Sequence, residues 1–152
     1  MSIDIRIEDA RWRKLPRSFR PRVKLAAAVS LARAGAPEDA ALTILLTGDA
    51  ALKKLNSAFR AKDKATNVLS FPAPSNGENY LGDVAIAYGV AAKEARAAGK
   101  SLSDHAVHLA VHGVLHLLGY DHVTNRQAKI MEPLEIEILA SLGIADPYAH
   151  AA

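Results

Sequence analysis

The sequence has no cysteine among its 152 residues. Disulfides, thiolate metal ligands, iron–sulfur clusters and a cysteine nucleophile are excluded together. A chain of this kind fits a reducing compartment, and a cytoplasmic protein is the expectation. It has no apolar run long enough to span a bilayer, so no membrane partner is expected. No secretory apolar segment is read near the N-terminus, because Asp4, Arg6 and Glu8 interrupt Ile3, Ile5 and Ile7. Internal repeats and an interdomain linker are also missing. The composition is globular, with 50% hydrophobic and 23% charged residues, and the length suits one domain with a sizeable core. The net charge of +3 is compatible with an anionic partner and alone says little.

Patterning along the chain predicts the order β-α-β-α-β-β-α-α-α. Residues 2–8 alternate apolar and polar, as a half-buried strand does. The basic stretch 11–24 contains Pro16 and Pro21 and reads as a loop leading into a helix over 23–33, ended by Gly35. Residues 40–47 read as a second strand, and Asp49 is a candidate N-cap for a helix reaching residue 59. Residues 60–64 are a charged connection. Residues 67–87 read as a hairpin, its first strand stopped by Pro72 and Pro74 and its turn at 75–79. Helices follow over 88–98 and 103–118, with Ser103 as candidate N-cap of the second, then a last helix over 125–141. The expectation is one α+β domain over residues 1–152, a small mixed sheet packed with about five helices. The last few residues, His150 among them, read as a flexible tail.

The run His112-Gly113-Val114-Leu115-His116-Leu117-Leu118-Gly119-Tyr120-Asp121-His122 carries the chemistry. Residues four apart share one helix face, so His112 and His116 can bind one metal from successive turns. Gly119 can end the helix in the left-handed conformation, and the returning chain can bring His122 to the same point. Three imidazoles with a fourth position left for water make a catalytic arrangement for zinc, the expected cofactor, one per chain. Copper, nickel and iron also suit imidazole sites. His105 and His108 precede on nearly the same stripe. His105 reads as an ordinary helix residue, whereas His108 stays open between a supporting donor, a substrate contact and a helix-surface residue. The spacing equals that of the metzincin proteases, which place a glutamate base after the first histidine. Here that position is Gly113, which cannot move a proton, so a metalloprotease-like activity is disfavoured.

The run from His108 to His122 closely resembles the YbeY family of bacterial endoribonucleases and ribosomal-RNA maturation factors. Two more segments fit: Asn56 to Pro72, with Arg60, Asp63 and Thr66-Asn67-Val68-Leu69-Ser70-Phe71-Pro72, and Leu81-Gly82-Asp83-Val84. The chain differs from that family's usual pattern after His122, where Val123-Thr124-Asn125-Arg126 is neutral or basic instead of acidic. The resemblance implies a zincin-like hydrolase fold, cleavage of single-stranded RNA, and a role in 16S rRNA maturation and ribosome quality control. It implies His112, His116 and His122 as metal ligands, Arg60 as the functional arginine, and an rRNA precursor and the ribosome or its subunit as partners.

Cleaving RNA requires a nucleophile, charge stabilisation at phosphorus and a route for protons. A metal at His112 can activate water or polarise a phosphoryl oxygen, and a guanidinium can stabilise the added charge. Arg60 is the candidate for the latter. No general base is evident, and an activated water and the RNA 2′-hydroxyl both remain open as nucleophile. Asp83 is expected to pin a turn and Asp121 to hold the loop beside His122. Two basic clusters suit a phosphate backbone: Arg17, Arg20 and Arg22 in the first, and Arg60, Lys62 and Lys64 in the second. Trp12 and Phe19, interleaved with the first, are expected in the core. The alternatives to an endoribonuclease are a protease-like or other small metal-dependent hydrolase, and a non-catalytic ribosome-assembly factor with a structural metal.

Overall fold

The alternating N-terminal residues form strand β1 (Ser2–Ile7), which pairs in parallel with β2 (Ala41–Thr47), setting Ile3 opposite Leu42 and Ile5 opposite Ile44. The computed structural model describes residues 1–60, 66–74, 79–121 and 123–148, with Phe59 and Arg60 described by their backbone only. Strand β2 also runs parallel to β4 (Tyr80–Ala87), and β3 (Val68–Pro72) pairs antiparallel to β4 at the edge. The sheet order is β1-β2-β4-β3. Parallel neighbours need crossovers. Helix α1 (Phe19–Arg33) lies between β1 and β2, and α2 (Asp49–Arg60) with β3 lies between β2 and β4. Helices α3 (Tyr88–Ala97), α4 (Leu102–Leu117) and α5 (Asn125–Ser141) complete the expected order of elements.

Side chains alternate across each strand, so the sheet serves two apolar layers. Leu42, Ile44, Leu46, Val84 and Ile86 join Val23, Ala27 and Leu31 of α1 and Val107, Val111 and Val114 of α4 in the main core. On the other face Leu69, Ala85 and Ala87 pack with Leu52 of α2. Gly82 permits the β3–β4 pairing: its φ is 134°, and a Cβ there would lie 2.1 Å from the Phe71 carbonyl oxygen. Trp12 and Phe19 are buried as expected, stacked with ring centroids 5.7 Å apart, and Trp12 Nε1 donates to the Thr47 carbonyl.

Three local expectations are corrected. Helix α1 starts at Phe19, not near residue 23, and takes in Pro21. A first-turn residue needs no intrahelical N–H bond, so proline is tolerated there. Asp49 lies inside α2, not before it, and its carboxylate accepts from the Val90 backbone N–H, tying α2 to α3. The N-cap of α4 is Ser101, not Ser103: its Oγ accepts from Asp104 N at 3.1 Å. The turn expected at 75–79 falls, except for Asn79, outside the described residues.

Gly113 decides how closely α4 approaches the sheet. A Cβ on it would sit 2.4 Å from Val84 Cγ1 and 3.3 Å from Val68 Cγ2. Its carbonyl accepts a hydrogen bond from Ser70 Oγ of β3 at 2.8 Å. The position after His112 therefore faces the strands, and a glutamate side chain has no room there.

Candidate metal centre and cleft

With Gly113 against the sheet, the histidine stripe of α4 is turned toward a cleft of about 1470 Å³, lined also by Asn67, Ser70 and Phe71, by Glu94 of α3, and by Tyr148. His112 Nε2 and His116 Nε2 lie 2.9 Å apart. Two nitrogens bound tetrahedrally to one zinc at 2.0–2.1 Å would be separated by roughly 3.3 Å. A small rotation of either ring would bring the pair to that spacing, so the chemistry and placement of these two donors fit the ion. The expected third ligand, His122, lies outside the described residues. Among the described residues no group of three or more His, Asp or Glu side chains is placed to hold a metal.

The pair rests on a buried carboxylate that the histidine spacing does not reveal. Glu135 of α5 has no exposed side-chain surface, and its Oε1 accepts from His112 Nδ1 at 3.2 Å. Its Oε2 accepts from His108 Nε2 at 3.1 Å and from the Tyr148 hydroxyl at 2.9 Å. Burial pushes the carboxyl up, but the hydrogen bonds and the proximity of His108 and His112 outweigh it and hold Glu135 at about 2, so it accepts and does not donate. A proton on His112 Nδ1 would face this carboxylate, the tautomer that leaves the Nε2 lone pair toward the cleft. His108 spends its Nε2–H on the same carboxylate. Its Nδ1 is buried without a hydrogen-bond partner among the described residues, as suits a nitrogen that carries no proton. His108 thus contacts the carboxylate behind His112, and it also lines the cleft, where a substrate contact stays open to it. Burial, followed by the nearby Glu135 charge, pushes the Tyr148 phenol well above its ordinary value, so it stays a donor.

Farther along the stripe, His105 Nε2 donates to Glu94 Oε1 at 3.0 Å, and Asn67 Nδ2 donates to the same oxygen at 3.0 Å. His105 is more engaged than an ordinary helix residue. It links α4 to α3 and to the start of β3. Asp83 accepts from the Tyr80 hydroxyl, which also bonds Thr43 Oγ1 at 2.7 Å, and Asp83 also lines the cleft. Asp121 lines the cleft.

Of the basic candidates, Arg17 and Arg20 are exposed near the start of α1, and Arg20 donates to the Ile5 carbonyl at 3.3 Å. Arg22 pairs with Asp104 of α4 at 2.6 Å. None of these three is among the residues lining the cleft. Arg60 ends α2, and its side chain, with Lys62 and Lys64, lies outside the described residues.

Comparison with known proteins identifies the family. A family model described as Endoribonuclease YbeY matches residues 5–143. A Ruegeria pomeroyi protein named Endoribonuclease YbeY is 43% identical over 166 residues, covering 97% of this chain and 98% of its own. One of the same name from a Chelativorans species is 48% identical over 132 residues, covering 84% and 81%. The solution structure of TM1509 from Thermotoga maritima shares the fold, with a TM-score of 0.55 at 20% identity over 97% of this chain and 99% of that one. Given a family match across nearly the whole length and relatives of this identity, the chain belongs to the YbeY endoribonuclease family.

Proposed function

We propose that this protein is a single-strand-specific, metal-dependent endoribonuclease acting in 16S rRNA maturation and ribosome quality control, with zinc as its metal. The observation that carries the reading is the pair of Nε2 atoms of His112 and His116, 2.9 Å apart beside an open cleft, with the far side of the His112 ring tied to buried Glu135. A carboxylate behind a histidine ligand is the usual device for fixing its tautomer and raising its basicity. His112 and His116 would hold the metal with His122 as third ligand. When bound, the metal supplies Lewis-acid polarisation of a phosphoryl oxygen or of water. Arg60 would grip a phosphate oxygen and stabilise the added negative charge, and Lys62 and Lys64 would neutralise neighbouring phosphates. The relatives' printed name supports RNA as substrate. The ribosome as partner and a cytoplasmic location follow from the family resemblance; among the described residues no helix is long and apolar enough to cross a membrane.

A protease reading is weakened by geometry as well as by sequence. The base position of that motif is Gly113, and a side chain there would meet Val84 and Val68. A purely structural metal is disfavoured by the cleft beside the pair, which a closed four-ligand site would not need. The test is RNA cleavage by protein purified to homogeneity, with and without added zinc, beside a His116→Ala variant purified identically. Zinc-dependent cleavage that disappears in the variant is expected. Equal cleavage by both would assign the activity to a contaminant and overturn the reading.

A further inference from the structure

The C-terminal segment after α5 runs back onto the histidine stripe. Asp146 Oδ1 accepts from Tyr148 N at 2.7 Å, a local turn that directs the Tyr148 ring into the cleft. There the ring meets His108 edge-on, with centroids 6.0 Å apart and planes at 87°. We propose that Tyr148 is a positioning residue for the metal centre: its hydroxyl and the His108 Nε2–H together hold Glu135 so that Oε1 fixes His112 as the Nδ1–H tautomer and presents Nε2 to the ion. The inference rests on the reading of His112 as a ligand and extends it to a residue outside the histidine run.

The Glu135 side chain has no exposed surface, so bulk water cannot replace a lost partner. Three donors reach it from two turns of α4 and from the C-terminal segment, and together they set its orientation. Without the hydroxyl, Oε2 keeps, among the described residues, only the His108 bond, and the carboxylate can turn toward it. Turning toward His108 carries Oε1 away from His112 Nδ1, a contact already long at 3.2 Å. His112 would then be free to carry its proton on Nε2, the nitrogen the metal requires bare.

The test compares full-length wild type with Tyr148→Phe, which removes the hydroxyl and keeps the ring, and Tyr148→Ala, which removes both. In metal-free protein, long-range proton–nitrogen NMR reads the His112 tautomer. Competition with a chromophoric chelator reads zinc affinity. Tyr148→Phe should leave the far-ultraviolet circular dichroism unchanged, put His112 into tautomer exchange, and weaken zinc binding by about tenfold or more, the scale seen when a partner behind a metal ligand is removed. A wild-type tautomer and wild-type affinity in Tyr148→Phe overturn the proposal. If only Tyr148→Ala departs from wild type, ring packing on His108 and not the hydroxyl is responsible, and the proposal again fails. Should Tyr148→Ala not fold, Tyr148→Phe decides alone. If wild type itself takes up no zinc, the metal reading fails, whereas the tautomer comparison still decides whether the hydroxyl sets His112.

Discussion

Gly113→Ala separates two effects of opposite sign. In an exposed helix alanine is better than glycine by about 1 kcal/mol, so propensity alone predicts a gain. Position 113 faces the sheet, where the new methyl carbon would lie 2.4 Å from Val84 Cγ1, against an ordinary contact beginning near 3.4 Å. Helix α4 must therefore retreat about 1 Å. Val84 is fully buried and β-branched and cannot swing aside. Overpacking of a filled core costs about 1–3 kcal/mol, with the upper half expected for so short an approach. The same retreat stretches the 2.8 Å bond from Ser70 Oγ to the Gly113 carbonyl, which contributes roughly another 1 kcal/mol. The balance is a net loss of about 2 kcal/mol, or some 4–8 °C in Tm for a chain of this size. Urea and thermal unfolding of metal-free protein, held in chelator so that ligand binding does not contribute, measures it directly. A variant as stable as wild type, or more stable, would show that α4 does not lie against β3 and β4 as described. Gly113→Glu, which writes the protease motif into α4, should fail to fold and should not yield a peptidase.

Wild-type protein prepared without an affinity tag should contain close to one equivalent of transition metal, mostly zinc, by elemental analysis; near-zero content with no uptake from added zinc counts against the centre. His116→Ala should lower both metal content and Tm, because bound metal stabilises the folded state by mass action, and equal values in the two proteins would remove His116 from the ligand set. Arg60→Ala should keep metal and Tm but slow single-turnover cleavage by roughly 10²-fold, and Arg60→Lys should recover only part, lacking the bidentate fork; a wild-type rate in Arg60→Ala would make Arg60 a surface residue. Log affinity for RNA should fall linearly with log salt, and replacing Arg17, Arg20 and Arg22 together with glutamine should flatten that slope. An unchanged slope would place the RNA surface around Arg60 and Lys62 instead.

What the sequence makes legible depends on whether the physical cause is local. Apolar periodicity set the order of elements, because which face is buried is written every second or every third to fourth residue. The approach of His112 to His116 is equally local, one helical turn apart, and the structure brings the two rings together. The small misses are local conflicts. Serines occur at both 101 and 103, and the choice between them as cap depends on where α3 delivers the chain. Pro21 is a breaker in a helix interior and harmless in a first turn, and the start of α1 at Phe19 puts it in the first turn.

The supporting shell of the centre is not legible in this way, for a physical reason. Glu135 lies among the acidic residues Glu132, Glu135 and Glu137 of α5, and what separates it is its place on the apolar stripe of Met131, Ile138 and Leu139, which marks burial but names no partner. Its burial, hydrogen bonds and depressed ionisation all arise from the packing of α5 and the C-terminal segment against α4. The Thr66–Pro72 block shows the intermediate case. It reads as a motif without a stated purpose, yet three of its side chains contact the helices beside the histidines or the glycine that lets α4 approach. Asn67 holds Glu94, which receives His105; Val68 closes on Gly113; Ser70 bonds the Gly113 carbonyl. These contacts couple the strand to the helix, so a shift of β3 would carry α4 and its histidines together relative to the rest of the cleft. The strand block and the histidine block thus pack as one unit, and substitutions at Asn67 or Ser70 are expected to shift the proposed metal ligands without touching them, through Glu94 and the Gly113 carbonyl.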